Sequence, residues 1–214
     1  MGRGRDLDKA IGLEMASQLR PLEYKSRFGG GLMYKRFDNG DCIGISLNNS
    51  VYGRVVIFPI AFLHVKAIEV ATANIRGEKY KRCQQATTCY GVCYFRERHN
   101  LIQWTVEDFI EIPRTVDEIL AMYFEYAVPW LEKMQADPKL LAEHALTHYN
   151  PSPYINDPVS HALALCHGGY VEEARKYVHE ESERQKNGKG ALFMFLGFEE
   201  KTLEYIDEWE RTHT

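Results

Sequence analysis

Apolar residues recur at helical spacing in RDLDKAIGLEMASQL, where Leu7, Ile11, Leu13 or Glu14, and Leu19 share one face until Pro21 closes the segment. The period then shortens to two. Gly29, Gly30 and Gly31 open LMYKRF, and CIGISL alternates Ile43, Ile45 and Leu47 before RVVIFPIAF follows. Asn39-Gly40 and Asn48-Asn49 mark the two turns of a three-strand antiparallel meander. Pro59 cannot donate to a ladder, so the third strand is expected to end near it or to lie at an edge.

A second helical period begins at HVKAIEVATANI, with Val65, Ile68, Ala71 or Thr72, and Ile75 on one side, and the spacing predicts a helix packed on the sheet. Aromatic and β-branched residues dominate TTCYGVCYFRE and NLIQWTVEDFIEI, two further predicted strands joined through RERHN. A capping-box pattern, Thr115 followed by Glu118, starts the next helix, RTVDEILAMYFEYAVPWLEKM, which Pro129 is expected to kink or stop. From Asp137 onward the pattern is wholly helical. DPKLLAEHALTH and DPVSHALALCH both start with Asp-Pro, an N-cap residue followed by proline at the first helical position.

GYVEEARKYV from Gly169 aligns with GFEEKTLEYI from Gly197: the glycine, the aromatic after it, Tyr177 with Tyr205, and Val178 with Ile206 fall in register. Each follows a short apolar helix, HALALCHG or GALFMFLG, which predicts two α-hairpins. GGYVEEARKYV resembles the turn and second helix of tetratricopeptide-type repeats, but the spacing of 28 residues is shorter than the roughly 34 of that family, and two units make no solenoid. The predicted class is therefore α+β: an antiparallel sheet with helices on one face in 1–135, followed by a C-terminal helical-hairpin appendage in 136–214, with room for the two to pack as one domain.

The 214 residues are 45% hydrophobic and 12% aromatic, enough to bury a proper core. The longest apolar run, Val55 to Val65, is broken by Pro59 and His64, so no membrane span is expected, and MGRGRDLDKA lacks the apolar segment of a secretory signal. Five cysteines, an odd number without framework-like spacing, fit a reducing compartment better than a disulfide scaffold, with the cytosol as the expected location. The net charge of -4 is uneven: 1–135 carries +2 and 136–214 carries -6. A solvated face explains most such asymmetry, and a charged partner is the functional alternative.

No catalytic signature stands out. EHALTH places His144 and His148 on one helical face, where they could share a zinc ion with His161 or the Cys166-His167 pair. The metalloprotease order is absent because Glu143 precedes the first histidine, and a histidine at a helix end is also favoured by the carbonyl dipole alone. Cys89 and Cys93 lie four apart in a predicted strand, too far to bond to each other, and read as core residues. Cys83 sits among cations in RGEKYKRCQQ but has no spaced acid or histidine partner. FGGGLMYKRF lacks the lysine and hydroxyl of a phosphate loop. Arg76, Lys79, Lys81 and Arg82, with Arg96, Arg98, Tyr80 and Tyr94, form the one basic cluster, within 76–98. Glu107, Asp108 and Glu111 show no legible acid/base partner set.

The order of helix, meander, helix with VKAIEVA, further strands and a long helix, over roughly Leu7 to Met134, resembles bacterial immunity-type proteins of toxin systems. The likeness is one of layout, with no diagnostic motif, and carries no functional residue across. It implies a small non-enzymatic protein that binds and neutralises a partner and needs no cofactor. In that reading Glu199, Glu200, Glu204, Asp207 and Glu208 offer an acidic face to a basic, nucleic-acid-cleaving toxin. The alternatives are a metal-dependent hydrolase using His144 and His148, and nucleic-acid binding through the basic loop.

Overall fold

The structure, a computed structural model, describes residues 2–51, 53–81, 83, 86–92, 103–147, 157–187 and 197–213. The fold is α+β, an antiparallel sheet followed by C-terminal helices, and the chain forms two compact units: Met1–Leu63 with Cys89–Glu132, and His64–Thr88 with Lys133–Thr214.

In the first unit, helix α1 (Gly2–Leu19) buries Leu7, Ile11, Met15 and Leu19 completely, a strict four-residue repeat. Met15 takes the place expected of Leu13 or Glu14, and Leu13 stands exposed. Strands β1 (Lys25–Arg27), β2 (Leu32–Arg36), β3 (Cys42–Val51) and β4 (Val55–His64) follow. β1 is an added strand, so the three glycines form a turn inside a hairpin, at whose crest Phe28 is exposed with φ 53°. There α1 meets the turn backbone to backbone: a Cβ on Gly30, whose φ is +92°, would lie 2.2 Å from the Gly12 carbonyl oxygen.

The Asn39-Gly40 turn forms as the sequence predicts, with the Phe37 N–H donating to Asp41 O at 2.9 Å and Gly40 at φ 93°. Asn48-Asn49 does not turn. β3 runs through both residues, and Gly53, at φ 74°, lies in the connection that follows. β4 likewise runs past Pro59, an interior strand flanked by β3 on one edge and by β5 (Thr88–Gly91) and β6 (Trp104–Val106) on the other. An extended residue points its N and its C=O to the same side, and Pro59 O accepts from Val92 N at 2.9 Å. The missing donor therefore faces the edge where β6, paired with Val55 to Ile57, gives way to the β5 segment.

After β6 the chain turns helical sooner than its β-branched residues suggest. Asp108 accepts from Ile110 N at 3.3 Å while Glu111 Oε2 accepts from Asp108 N at 3.1 Å, a capping box that opens a 3-10 turn, Phe109–Glu111. Helix α3 (Ile112–Met122) continues from it, so Thr115, the cap expected from sequence, lies buried inside the helix. Pro129 does not stop the chain's helical course. A π turn, Tyr123–Ala127, leads into α4 (Val128–Ala136), with the Val128 N–H donating five residues back to Tyr123 O. The wider turn opens the ladder where the proline ring would meet the carbonyl four residues before it. Tyr123, fully buried, meets Tyr24 hydroxyl to hydroxyl at 3.3 Å and edge to face at 6.2 Å, so this aromatic cluster is core.

The second unit contains α2 (Lys66–Arg76), α5 (Pro138–Thr147), α6 (Pro158–His167), α7 (Val171–Lys186) and α8 (Glu199–His213). Both Asp-Pro starts cap as expected, Asp137 accepting from Lys139 N at 2.9 Å and Asp157 from Val159 N at 2.8 Å. α6 is the central helix: residues 158–166 are all buried, and α2, α5, α7 and α8 pack around it. Gly168 seats the hairpin turn on α5, since a Cβ there would lie 2.3 Å from Ala142 Cβ. Val178 and Ile206, equivalent in the aligned hairpins, are both fully buried; the apolar run at 191–196 and RERHN at 96–100 lie outside the described residues.

A polar seam crosses this core. The Thr87 hydroxyl donates to Glu69 Oε1 at 2.9 Å, Thr72 bonds Ser160 at 3.0 Å, and Arg76 pairs with Asp157 at 2.9 Å. Glu69 is 1% exposed, and burial, opposed by the Thr87 hydrogen bond, raises its pKa to about 7. A raised carboxyl pKa stabilises the fold below the unfolded value and loses that contribution as pH climbs through the folded one. His161 and His167 act in the opposite sense, because burial lowers both to about 4 and the unfolded chain takes up their protons first as pH falls below 6.5. Relative to the wild type, Glu69→Gln should therefore gain about 3 kcal/mol of stability between pH 4.5 and pH 7, measured by urea unfolding across that range. A pH-independent difference would mean that Glu69 is ionised in the fold.

The cysteines fall into two states. Cys42 and Cys83, both fully buried, are each in the disulfide-bonded state, while Cys89 and Cys166 are free and burial pushes each of these two thiols up to about 12. Disulfide bonding is rare in a reducing cytosol. It also removes Cys83 as a nucleophile.

Candidate protein-interaction face

Helices α7 and α8 carry eleven of the fourteen acidic residues of 136–214, and Arg175 on α7 fixes how they meet. Its Nη2 lies 2.8 Å from Asp207 Oδ1 and 2.6 Å from Glu210 Oε2, and its Nη1 bonds Glu172 one turn before it. The planar guanidinium can serve all three carboxylates at once. At the other end of α8, Glu199 accepts from the Ser182 hydroxyl and faces His179 Nδ1 at 3.4 Å and Lys186 Nζ at 3.9 Å. The Ser182 bond is the main reason its carboxyl titrates below the usual range.

The C-terminal half of α8 is held by aromatic stacking. The Trp209 ring lies between the imidazoles of His167, at 3.8 Å and 17°, and His213, at 3.7 Å and 10°. His167 Nε2 also meets the Tyr205 hydroxyl at 2.8 Å. His167 thus joins the end of α6 to α8.

This packing sorts the five acids expected to form a face. Glu199 and Asp207 are committed to α7, and Glu208 pairs with Arg211 on its own helix. Glu200 and Glu204 are exposed and have no ion pair among the described residues. With Glu208 they stand at intervals of four on one stripe of α8, spanning about 12 Å. The sequence shows the stripe; it does not show Arg175 as its support, because the clamp joins residues 32 and 35 positions apart.

The other candidates resolve differently. His144 is half-buried on α5, with its charge felt by His161, and His148 lies outside the described residues. Among the described residues no three histidine, cysteine or acidic side chains are grouped to hold a metal. In the basic loop, Arg76 is tied to Asp157 and lies over the Phe198 ring at 4.8 Å, and the Tyr80 hydroxyl bonds His64 at 2.9 Å. Lys79 and Lys81 are exposed; Arg82, Tyr94, Arg96 and Arg98, like Cys93, lie outside the described residues. Glu107, Asp108 and Glu111 are helix-start residues, with Arg3 2.8 Å from Asp108 and Arg54 3.6 Å from Glu107. No helix among the described residues is long and apolar enough to cross a membrane. No protein-family model, curated protein or solved structure matches the chain.

Proposed function

We propose that this chain is a non-enzymatic protein-binding module that holds a basic partner on α8, and within that class an immunity-type protein that neutralises a nucleic-acid-cleaving toxin. The observation that carries the reading is the stripe of Glu200, Glu204 and Glu208, exposed on a helix that Arg175 and the Trp209 stack hold to the unit. A rigid row of carboxylates meets a phosphate-binding surface with complementary charge, which speeds encounter and fixes register without ordering a flexible segment. The reading places the protein in the cytosol, and the oxidised state of Cys42 and Cys83 is the structural feature that speaks against that compartment.

The test is native mass spectrometry of the protein purified from its source cells, repeated with Glu200→Lys plus Glu204→Lys. A stoichiometric basic companion, whose nuclease activity the wild-type protein blocks, should be held at least about tenfold more weakly by the double variant at low salt, a loss of about 1.4 kcal/mol. Both positions are exposed, so the fold should survive the change. A bare chain, or a companion held equally well by the variant, would remove α8 from the model.

A further inference from the structure

A cleft of about 290 Å³ opens on the second unit between α5, α6 and α7, at the small end of the range for ligand pockets. His161 and Leu165 form its floor and Leu146 part of one wall. The other wall is α7, where Glu173, Tyr177 and Glu180 succeed one another at helical spacing and Lys176, Glu181 and Arg184 complete the lining. The Tyr177 ring lies against the His161 ring with centroids 4.4 Å apart, which gives the cleft an aromatic surface.

From this geometry we infer that the cleft receives one arginine side chain of the basic partner, its guanidinium against Tyr177 and its N–H groups directed at Glu173 and Glu180. The inference rests on the proposed protein-binding function and supplies the anchor that a row of rim charges lacks. Interfaces draw most of their affinity from a few aromatic and arginine contacts in desolvated pockets, whereas exposed charges contribute mainly to encounter rate.

Three features favour this occupant. Glu181, the most buried carboxylate of the cleft, is already matched by Arg184 at 3.0 Å and by Gln185 at 3.0 Å. Glu173 has no ion pair among the described residues, and Glu180 holds Lys176 only loosely at 3.8 Å, so negative charge remains at the Tyr177 end. His161 below is neutral at physiological pH, since burial lowers its pKa to about 4, so the cations of the cleft are Lys176 and Arg184, which face Glu180 and Glu181, against three carboxylates. A guanidinium suits such a place better than an ammonium because it is planar, stacks on an aromatic ring and divides its donors between two acids.

The experiment titrates the full-length, nitrogen-15-labelled protein with N-acetyl-arginine amide, followed by amide NMR, with the lysine and citrulline analogues as controls. Saturable millimolar shifts centred on Leu165, Glu173 and Tyr177 are expected for arginine, at least about fivefold weaker for lysine and absent for uncharged citrulline. Glu173→Gln plus Glu180→Gln, both at exposed positions, should weaken the arginine response by a similar factor while the rest of the spectrum is unchanged. No saturable response in the cleft, or an equal one from citrulline, would overturn the inference. The α8 test reads the parent proposal separately. A companion lost on charge reversal with no arginine response in the cleft removes only the cleft, whereas an arginine response in a chain without a companion supports the cleft and removes the immunity reading.

Discussion

Gly30→Ala should destabilise the first unit by about 2 to 5 kcal/mol, a large share of the 5 to 15 kcal/mol that ordinarily separates folded from unfolded chains. Two penalties combine. The residue sits at φ +92°, where an L side chain costs roughly 1–2 kcal/mol, and the added methyl would enter the Gly12 peptide, lying 2.2, 2.3 and 2.7 Å from its O, C and Cα. Those neighbours are backbone atoms of α1, which cannot swing aside as a long side chain would, so the helix itself must shift, and overpacking of that kind costs about 1–3 kcal/mol. Gly29→Ala supplies the control. Its φ is +65° but its Cβ would meet nothing within 4 Å, so only the backbone penalty of about 1–2 kcal/mol should be seen. Urea unfolding of the two variants side by side reads the difference; equal midpoints would mean that the contact between α1 and the turn is not tight.

Leu163→Ala should cost about 2 to 5 kcal/mol through the second unit. Leu163 is fully buried on α6, and because helices pack around that element on several sides no single neighbour can collapse into the space left by the removed atoms. The loss therefore combines the transfer free energy of the side chain with a cavity that stays open. Leu13→Ala, at a position 55% exposed on α1, should change stability by only about 0.5 kcal/mol. A Leu163→Ala variant within 1 kcal/mol of the wild type would contradict the central placement of α6.

What the sequence revealed depended on whether the deciding interaction was local. The Asp-Pro starts of α5 and α6, the Asn39-Gly40 turn and the glycine hinge after α6 are written in adjacent residues, and each forms as read. The capping box at Asp108 and Glu111 is equally local, but the β-branched and aromatic residues around it carry a strand pattern that masks it. Pro59 misled for a different reason: whether a strand tolerates a missing donor depends on which neighbour lies beside it, and that neighbour is β5, about thirty residues later in the chain. The candidate site divides in the same way. Glu200, Glu204 and Glu208 follow from helical spacing, whereas the capture of Asp207 and Glu199 by α7 depends on tertiary packing. Glu69 shows the limit most clearly. On a helical wheel it lies beside the apolar stripe, as solvated acids often do, and only the arrival of Thr87 and Ser160 makes it a buried acid.

The second unit is not contiguous in the chain: residues 64–88 join 133–214 while 89–132 belong elsewhere. It is consequently not a portable cassette. A C-terminal fragment beginning near residue 136 would carry α5 to α8 but leave α2 behind, baring one side of α6 together with Ser160 and the acid-capped start at Asp157. Any attempt to graft these helices onto another scaffold, or to express them as a soluble piece, has to bring the 64–88 segment along, for instance by circular permutation that splices it directly onto the helices it covers.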